Sequence, residues 1–265
     1  MFSERPGQLA EIARDAADEG VGMLVVVGGD GTVHEVVNGI AGRDGVELAL
    51  IPRGTGWDFA RTHAIPKRLA EALRIARDGA ARAFDLGRAV YQADGAPKSA
   101  WFANMASVGM SGAVAAKANS TTKALGAKTS YLLALGVVFA RWQNVRLKVA
   151  VDAETREALM EDAVVAVGRY LAGGMMITPD AEPDDGLFDV LLIGDVTKAE
   201  LVRVMPKIYR GKHLPHPKGE VLRGTTVTIE AESPLPIQLD GEQPGTTPVR
   251  FELVPAAIRL RVPGS

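Results

Sequence analysis

Five apolar residues, Met23-Leu24-Val25-Val26-Val27, run straight into Gly28-Gly29-Asp30-Gly31-Thr32, and a helical pattern from Val33 to Ile40 follows at once. The short β-branched run reads as a buried strand of a parallel sheet. A strand that ends on glycines and opens a helix leaves free backbone N–H groups where the helix dipole favours an anion. Glycine also lets the backbone approach a phosphate closely. Asp30 does not suit a bare phosphate, because two anions repel. It suits one with Mg²⁺ or ordered water between, or it orients the loop. The turn lacks the Gly-Lys-Ser/Thr ending of a Walker loop and the spacing of a G-x-G-x-x-G fingerprint. Alone it leaves two readings open, a phosphate site and an ordinary glycine-rich strand end.

A second turn strengthens the first reading. Leu48 to Ile51 forms the next strand, broken by Pro52, and Arg53-Gly54-Thr55-Gly56-Trp57-Asp58-Phe59-Ala60-Arg61 follows. Ligands of open α/β sheets bind beyond the carboxyl ends of the strands, so the two turns are expected to face one crevice. Thr55 is placed to donate to a phosphate, Asp58 to join a magnesium–water network, and Arg61 to neutralise charge or hold Asp58. The alternative has Asp58 capping the following helix and Arg61 pairing with it.

Helical spacing also marks Pro6 to Asp18 and Lys67 to Arg77. Alternation of strands and helices predicts an open parallel sheet covered on both faces. Past Gly79 the texture changes. Strands are expected at Arg146 to Val151, Asp162 to Val167, Phe188 to Ile193, Thr226 to Glu230 and Phe251 to Leu253, with helices at Ser130 to Trp142 and Lys198 to Ile208. This half reads as mostly antiparallel, a β-sandwich. With a boundary near Ala80 to Arg82, residues 1–81 form an α/β nucleotide-binding domain and residues 82–265 a β-sandwich domain.

Composition narrows the function. With 30 basic and 32 acidic residues the net charge is -2, which removes a global electrostatic case for nucleic acid. There are no cysteines, so disulfides, thiolate zinc sites and cysteine nucleophiles are excluded. The charged N-terminus has no apolar core and is no signal peptide. The apolar run Tyr131 to Ala140 is about half of the roughly 20 residues that span a bilayer. It is expected to pack on the core. The alternative is a membrane-facing helix, since Lys123, Lys128 and Arg141 flank it.

Together the motifs resemble the diacylglycerol kinase-like lipid kinases, which share their catalytic region with sphingosine and ceramide kinases. The family pattern G-G-D-G-T, P-x-G-T-x-N-D-F-A-R and a late D-G-E is matched by Gly28 to Thr32, Pro52 to Arg61 and Asp240-Gly241-Glu242. Asn104 to Gly109, Pro179 with Asp185-Gly186-Leu187, and Tyr209 to His213 extend the match over essentially the whole chain. A lone G-G-D-G-T is shared with NAD kinases and phosphofructokinases; the combination is far more specific.

The resemblance implies an NAD kinase/phosphofructokinase-like α/β domain that binds ATP, followed by a β-sandwich that binds lipid. It implies transfer of the γ-phosphoryl group of ATP to a hydroxyl of a diacylglycerol-like lipid, with Glu242 as general base. Gly28, Gly29, Asp30, Gly31, Thr32, Val33 and His34 would line the triphosphate, with Gly54, Thr55 and Arg61 from the second turn. Asp30, Asp58 and Asp240 would position catalytic Mg²⁺ through water. A further structural Mg²⁺ would be held by Asp185 and the carbonyls of Glu182 and Leu187; a solvated acidic turn is the alternative there. The implied location is cytoplasmic, peripheral at the inner membrane surface. A homodimer is left open.

Two departures stand out. Family members usually begin with a strand and an Asn-Pro-x-x-Gly loop, whereas this chain starts after both, so exposed apolar edges and weakened ATP binding are expected. Its Ser3 takes the place of a family threonine that contacts ATP. Trp57 stands where the family usually has asparagine, and an indole cannot replace an amide's paired donor and acceptor. The competing functions are an NAD kinase-like small-molecule kinase and a catalytically impaired lipid- or nucleotide-binding fragment.

Overall fold

The computed structural model describes residues 3–54, 56–120 and 127–264, the side chains of 127–131 apart. The first unit runs α1 (Gln8–Asp18), β1 (Met23–Gly28), α2 (Asp30–Ile40) and β2 (Glu47–Pro52). β1 and β2 are parallel, with Gly28 opposite Pro52, so both glycine turns leave the same end of the sheet. Val26, Leu48 and Leu50 meet Val33, Val37 and Ile40 of α2 on one face. On the other face Ala49 and Ile51 meet Ala72 and Ala76 of α4 (Leu69–Asp78). β2 is thereby covered on both sides. β1 is not: it ends the strand order, and Val25 and Val27 are exposed.

The expected all-parallel sheet is instead mixed. After the short α3 (Asp58–Thr62) and α4, the chain enters β3 (Ala80–Ala93), which pairs with β4 (Ala96–Phe102). β3 also runs antiparallel to β15 (Thr246–Val262), whose end lies parallel to β2. The expected strand Phe251 to Leu253 is the middle of this 17-residue strand. Its pairing with β3 shifts register between Val254 and Ile258, where the strand passes from one half of the molecule to the other. Two long strands therefore belong to both halves, and the hydrophobic pattern of either half alone conceals their length.

The remaining elements are β5 (Met105–Gly109), α5 (Met110–Ser120), α6 (Ala127–Arg141), β6 (Val145–Val151), β7 (Glu154–Met160), β8 (Asp162–Ala166), β9 (Tyr170–Leu171), β10 (Met175–Met176), β11 (Phe188–Ile193), α7 (Lys198–Ile208), β12 (Gly219–Gly224), β13 (Thr226–Ala231) and β14 (Ile237–Leu239). One sheet runs β1-β2-β15-β13-β6-β7, with β3 joined to β15 and β4 to β3; a second runs β12-β11-β8-β5-β14. They face one another across an apolar core where Phe102 lies 5.8 Å from Phe188 and 5.7 Å from Phe251. This is the expected sandwich. α7 starts on a capping box between Thr197 and Glu200.

Candidate active site

The two glycine turns touch. Arg53 donates its N–H to the Gly28 carbonyl at 2.7 Å, and Gly54, at φ 118°, lies against the Gly29 backbone. Asp30 spans them. Its Oδ1 accepts the Phe59 N–H at 3.1 Å and its Oδ2 the Asp58 N–H at 3.3 Å, so it caps α3 from another element. Gly56 is required here, since a Cβ would stand 2.4 Å from Asp30 Oδ2. Burial pushes the Asp30 carboxyl up to about 6, against the pull of those N–H groups, and the charges of Asp58 and Asp240 push the same way.

Asp58 and Arg61 turn towards the second half. Buried Asp58 accepts the Gly173 N–H at 2.7 Å and pairs with Arg61 at 3.0 Å. Thr62 donates to Asn104 Oδ1 at 3.2 Å and accepts the Arg169 N–H, so α3 grips the β9–β10 hairpin. Trp57 folds back on its own turn, donating to the Gly54 carbonyl at 2.8 Å with Lys67 over its ring. The indole thus acts as a brace for the turn and leaves the missing amide unreplaced.

Asp240 is enclosed by donors. It accepts the N–H groups of Ala103, Asn104 and Met105 at 2.8, 2.9 and 3.0 Å, and His34 Nδ1 donates to it at 3.2 Å. Burial alone would depress His34, but the Asp240 hydrogen bond and charge outweigh it and hold the imidazole above its ordinary value. Asn38, one turn further along α2, exchanges hydrogen bonds with the Trp101 backbone. These contacts seat the Asp240–Glu242 turn against α2. Glu242 is exposed, and a Cβ on Gly31 would stand 3.9 Å from its Oε1. The late carboxylate therefore overlooks the N-terminus of α2.

The other expected residues fall in different places. Thr55 lies outside the described residues. Val33 is buried in the core, and Thr32 lies over Gly28. Ser3 is exposed ahead of α1. In the acidic loop, Asp185 accepts the Leu187 N–H at 3.0 Å and pairs with Arg223, while Glu182 is exposed. Asp85 ties this loop down, donating its N–H to Pro183 O and accepting the Gly186 N–H at 2.8 Å. Sequence reasoning missed Asp85, Asn38 and the bridging part of Asn104, because their partners lie more than forty residues away along the chain. Two of the remaining histidines, His63 and His213, are buried. His63 is wedged between Phe59 and Phe84, held down to about 3 by burial, and His213 donates to the Ile177 carbonyl.

Both halves of the chain match known protein families. Residues 1–89 match the diacylglycerol kinase catalytic domain, and residues 104–262 match the YegS C-terminal NAD kinase beta sandwich-like domain. A diacylglycerol kinase of Mycobacterium tuberculosis (strain ATCC 25618 / H37Rv) is 30% identical over 251 residues, covering 94% of this chain and 79% of its own. The chain belongs to the diacylglycerol kinase-like family. A diacylglycerol kinase of Staphylococcus carnosus (strain TM300) is 28% identical over 250 residues, covering 94% of this chain and 79% of its own. A crystal structure assigned to a diacylglycerol kinase of Bacillus anthracis str. Sterne superposes with a TM-score of 0.77 at 26% identity, covering 99% of this chain and 85% of the other. Yeast NADH kinase shares the fold at a TM-score of 0.54 and 11% identity, over 92% of this chain and 62% of its own. The protein is thus a kinase of the diacylglycerol kinase-like family, built on the NAD kinase-like plan.

Proposed function

We propose that this kinase transfers the γ-phosphoryl group of ATP to the hydroxyl of a diacylglycerol-like lipid. One observation carries the reading: Glu242, from the far end of the chain, stands beside Gly31 at the helix start that follows the phosphate-type turn. A base next to a phosphate cradle is what phosphoryl transfer requires, since the chemistry is mainly positioning and charge stabilisation. The free N–H groups of Gly29 to Thr32 hold the triphosphate, with Gly54 and His34 bordering it. Glu242 takes the proton of the lipid hydroxyl as its oxygen attacks the γ-phosphorus, and the bond to the ADP oxygen breaks.

The residues fit a divalent cation in the site. Asp30 is held partly desolvated beside the charges of Asp58 and Asp240, and a cation relieves that strain. Its inner lone pairs are taken by N–H groups, so it acts through water, while Asp58 and Asp240 contribute charge and hold the walls. A cation held there would supply positive charge to the phosphate groups. The acidic loop gathers negative charge too: Asp189 Oδ2 is buried without a partner, and burial raises its carboxyl, with Asp185, Asp180 and Glu182 adding to this against the pull of Arg223. We assign the structural Mg²⁺ to Asp185 with the Glu182 and Leu187 carbonyls, where Arg223 already supplies one positive charge.

We place nucleotide binding in residues 1–81 and lipid binding in residues 82–265. The hairpin spanning Gly168 to Ile177, latched to Asp58, borders the site on the lipid side. Membrane contact falls to α6, where Leu132, Leu133 and Val137 are exposed. Among the described residues no helix is long and apolar enough to cross a membrane, so α6 would lie in the interface. Radiolabelled ATP, offered with diacylglycerol in mixed micelles or with NAD, tests the proposal. Label in the lipid supports it; label only in NAD overturns it.

A further inference from the structure

Glu161 and Asp162 lie side by side at the start of β8, each only 4% exposed. Asp162 is opposite Gly109 at the end of β5, whereas Asp240 binds N–H groups at the beginning of that strand. At about 3.3 Å per residue, the two carboxylate sites are separated by the length of β5. The phosphoryl-transfer reading makes no use of this second pair.

Asp162 has a structural task on one side. Its Oδ2 accepts the Ser111 N–H at 2.9 Å in the first turn of α5, while its Oδ1 is buried without a partner. Gly109, at φ 137°, permits the approach, since a Cβ there would meet Asp162 Cα at 2.7 Å. Glu161 has no such task. Its backbone is engaged by Ile193 and Met110, but among the described residues its carboxyl has no hydrogen-bonding or cationic partner. It opens into a cavity of about 310 Å³ lined by Met110, Phe139, Trp142 and Leu201, with Asn144 and Asp195 also in its wall.

A buried carboxyl without a partner is costly unless a ligand completes it. Two features say which ligand. Among the described residues no three acidic or histidine side chains converge on a metal position. Around Glu161 the wall carries two aromatic rings, which favour a diffuse organic cation over a hard one. Lys198, in the same wall, donates to the Ala140 carbonyl and forms no ion pair with Glu161, and Asn144 donates to Asp195. We propose that this cavity binds an organic ammonium group, with Glu161 as its counter-ion and Phe139 and Trp142 as its aromatic wall. Burial and the neighbouring Asp162 charge keep the empty site's Glu161 protonated well above the ordinary carboxylate range. Binding therefore releases a proton.

Calorimetric titration of the full chain near neutral pH, with tetramethylammonium, ethylammonium and choline as probes and sodium as control, tests this. The expected result is saturable binding of at least one probe, with a heat that changes between buffers of different ionisation enthalpy. Glu161→Gln, which matches the neutral acid in shape, is expected to weaken binding at least about tenfold. Trp142→Leu, which keeps the charge, is expected to weaken it too, and neither variant changes the thermal shift with Mg-ATP. Absence of saturable binding by all three probes, an equal response to sodium, or unchanged affinity in Glu161→Gln overturns the proposal.

Discussion

His34 Nδ1 lies 3.2 Å from Asp240 Oδ2, so the helix behind the first glycine turn is tied to the turn that carries Glu242. Asp240 also gathers three successive backbone N–H groups ahead of β5. Its removal leaves all of these donors buried or half-buried without an acceptor. Asp240→Ala is predicted to destabilise the fold by at least about 3 kcal/mol, since each orphaned donor costs about 1–3 kcal/mol. Urea unfolding at neutral pH measures this; a loss below about 1 kcal/mol would show that the clamp is dispensable.

The same pair sets a pH dependence. His34 titrates above its ordinary 6.5, so the proton it binds stabilises the native state. That contribution is complete below about 6.5 and disappears as pH rises through the higher native value. The stability difference between the wild type and His34→Gln should therefore shrink between pH 6 and pH 9. A difference that grows over that range would contradict the assignment.

Asp30 acts with the same sign over a lower pH range. Its native value of about 6 lies above the ordinary 3.8, so the native state holds its proton more tightly than the unfolded chain. Stability from this group is present below about pH 4 and is lost as pH rises through 6, by on the order of 3 kcal/mol at most. Asp30→Asn should flatten that part of the stability profile while lowering activity at least about 100-fold. The ascending limb of kcat/KM in the free enzyme should fall near pH 6. An unchanged profile in the variant would remove Asp30 from the account.

Asp58 ties α3 to the β9–β10 hairpin through the Gly173 N–H. Asp58→Ala frees the Gly173 N–H and leaves Arg61 without its partner, a change worth about 1–3 kcal/mol given the half-exposed guanidinium. Hydrogen exchange over residues 168–176 should accelerate in the variant, while β1 and β2 exchange as before. Uniform acceleration across both regions would indicate general destabilisation instead of a latch.

Leu132 and Leu133 on α6 are about half exposed, and Arg141 closes the helix. Replacing both leucines by serine should lower cosedimentation with anionic vesicles several-fold, with stability unchanged within about 0.5 kcal/mol as expected for surface positions. Equal cosedimentation would exclude this face.

Most of the site was legible because local chemistry writes it. Glycines at a strand end and a helix start leave N–H groups free for an anion, and two such turns from neighbouring strands point to one crevice. The family pattern then located Glu242 more than two hundred residues away, which no local rule reaches. What stayed hidden depends on partners distant in sequence. The expectation that Asp58 joins a magnesium–water network came from its place in a polar turn; its bond to Gly173 was hidden because it needs the β9–β10 hairpin, which composition does not show. The continuous β3–β15 pair was hidden as well, since a strand crossing two cores changes its burial pattern midway and reads as two short pieces.

The central claim is that Glu242 is the base of a transfer from ATP to a lipid hydroxyl. Phosphate transfer from labelled ATP to diacylglycerol by Glu242→Gln, set beside its Mg-ATP thermal shift, tests it most directly. The account predicts a rate at least about 100-fold below wild type, with the shift and the unfolding midpoint retained. A Glu242→Gln variant that transfers phosphate at the wild-type rate would contradict it.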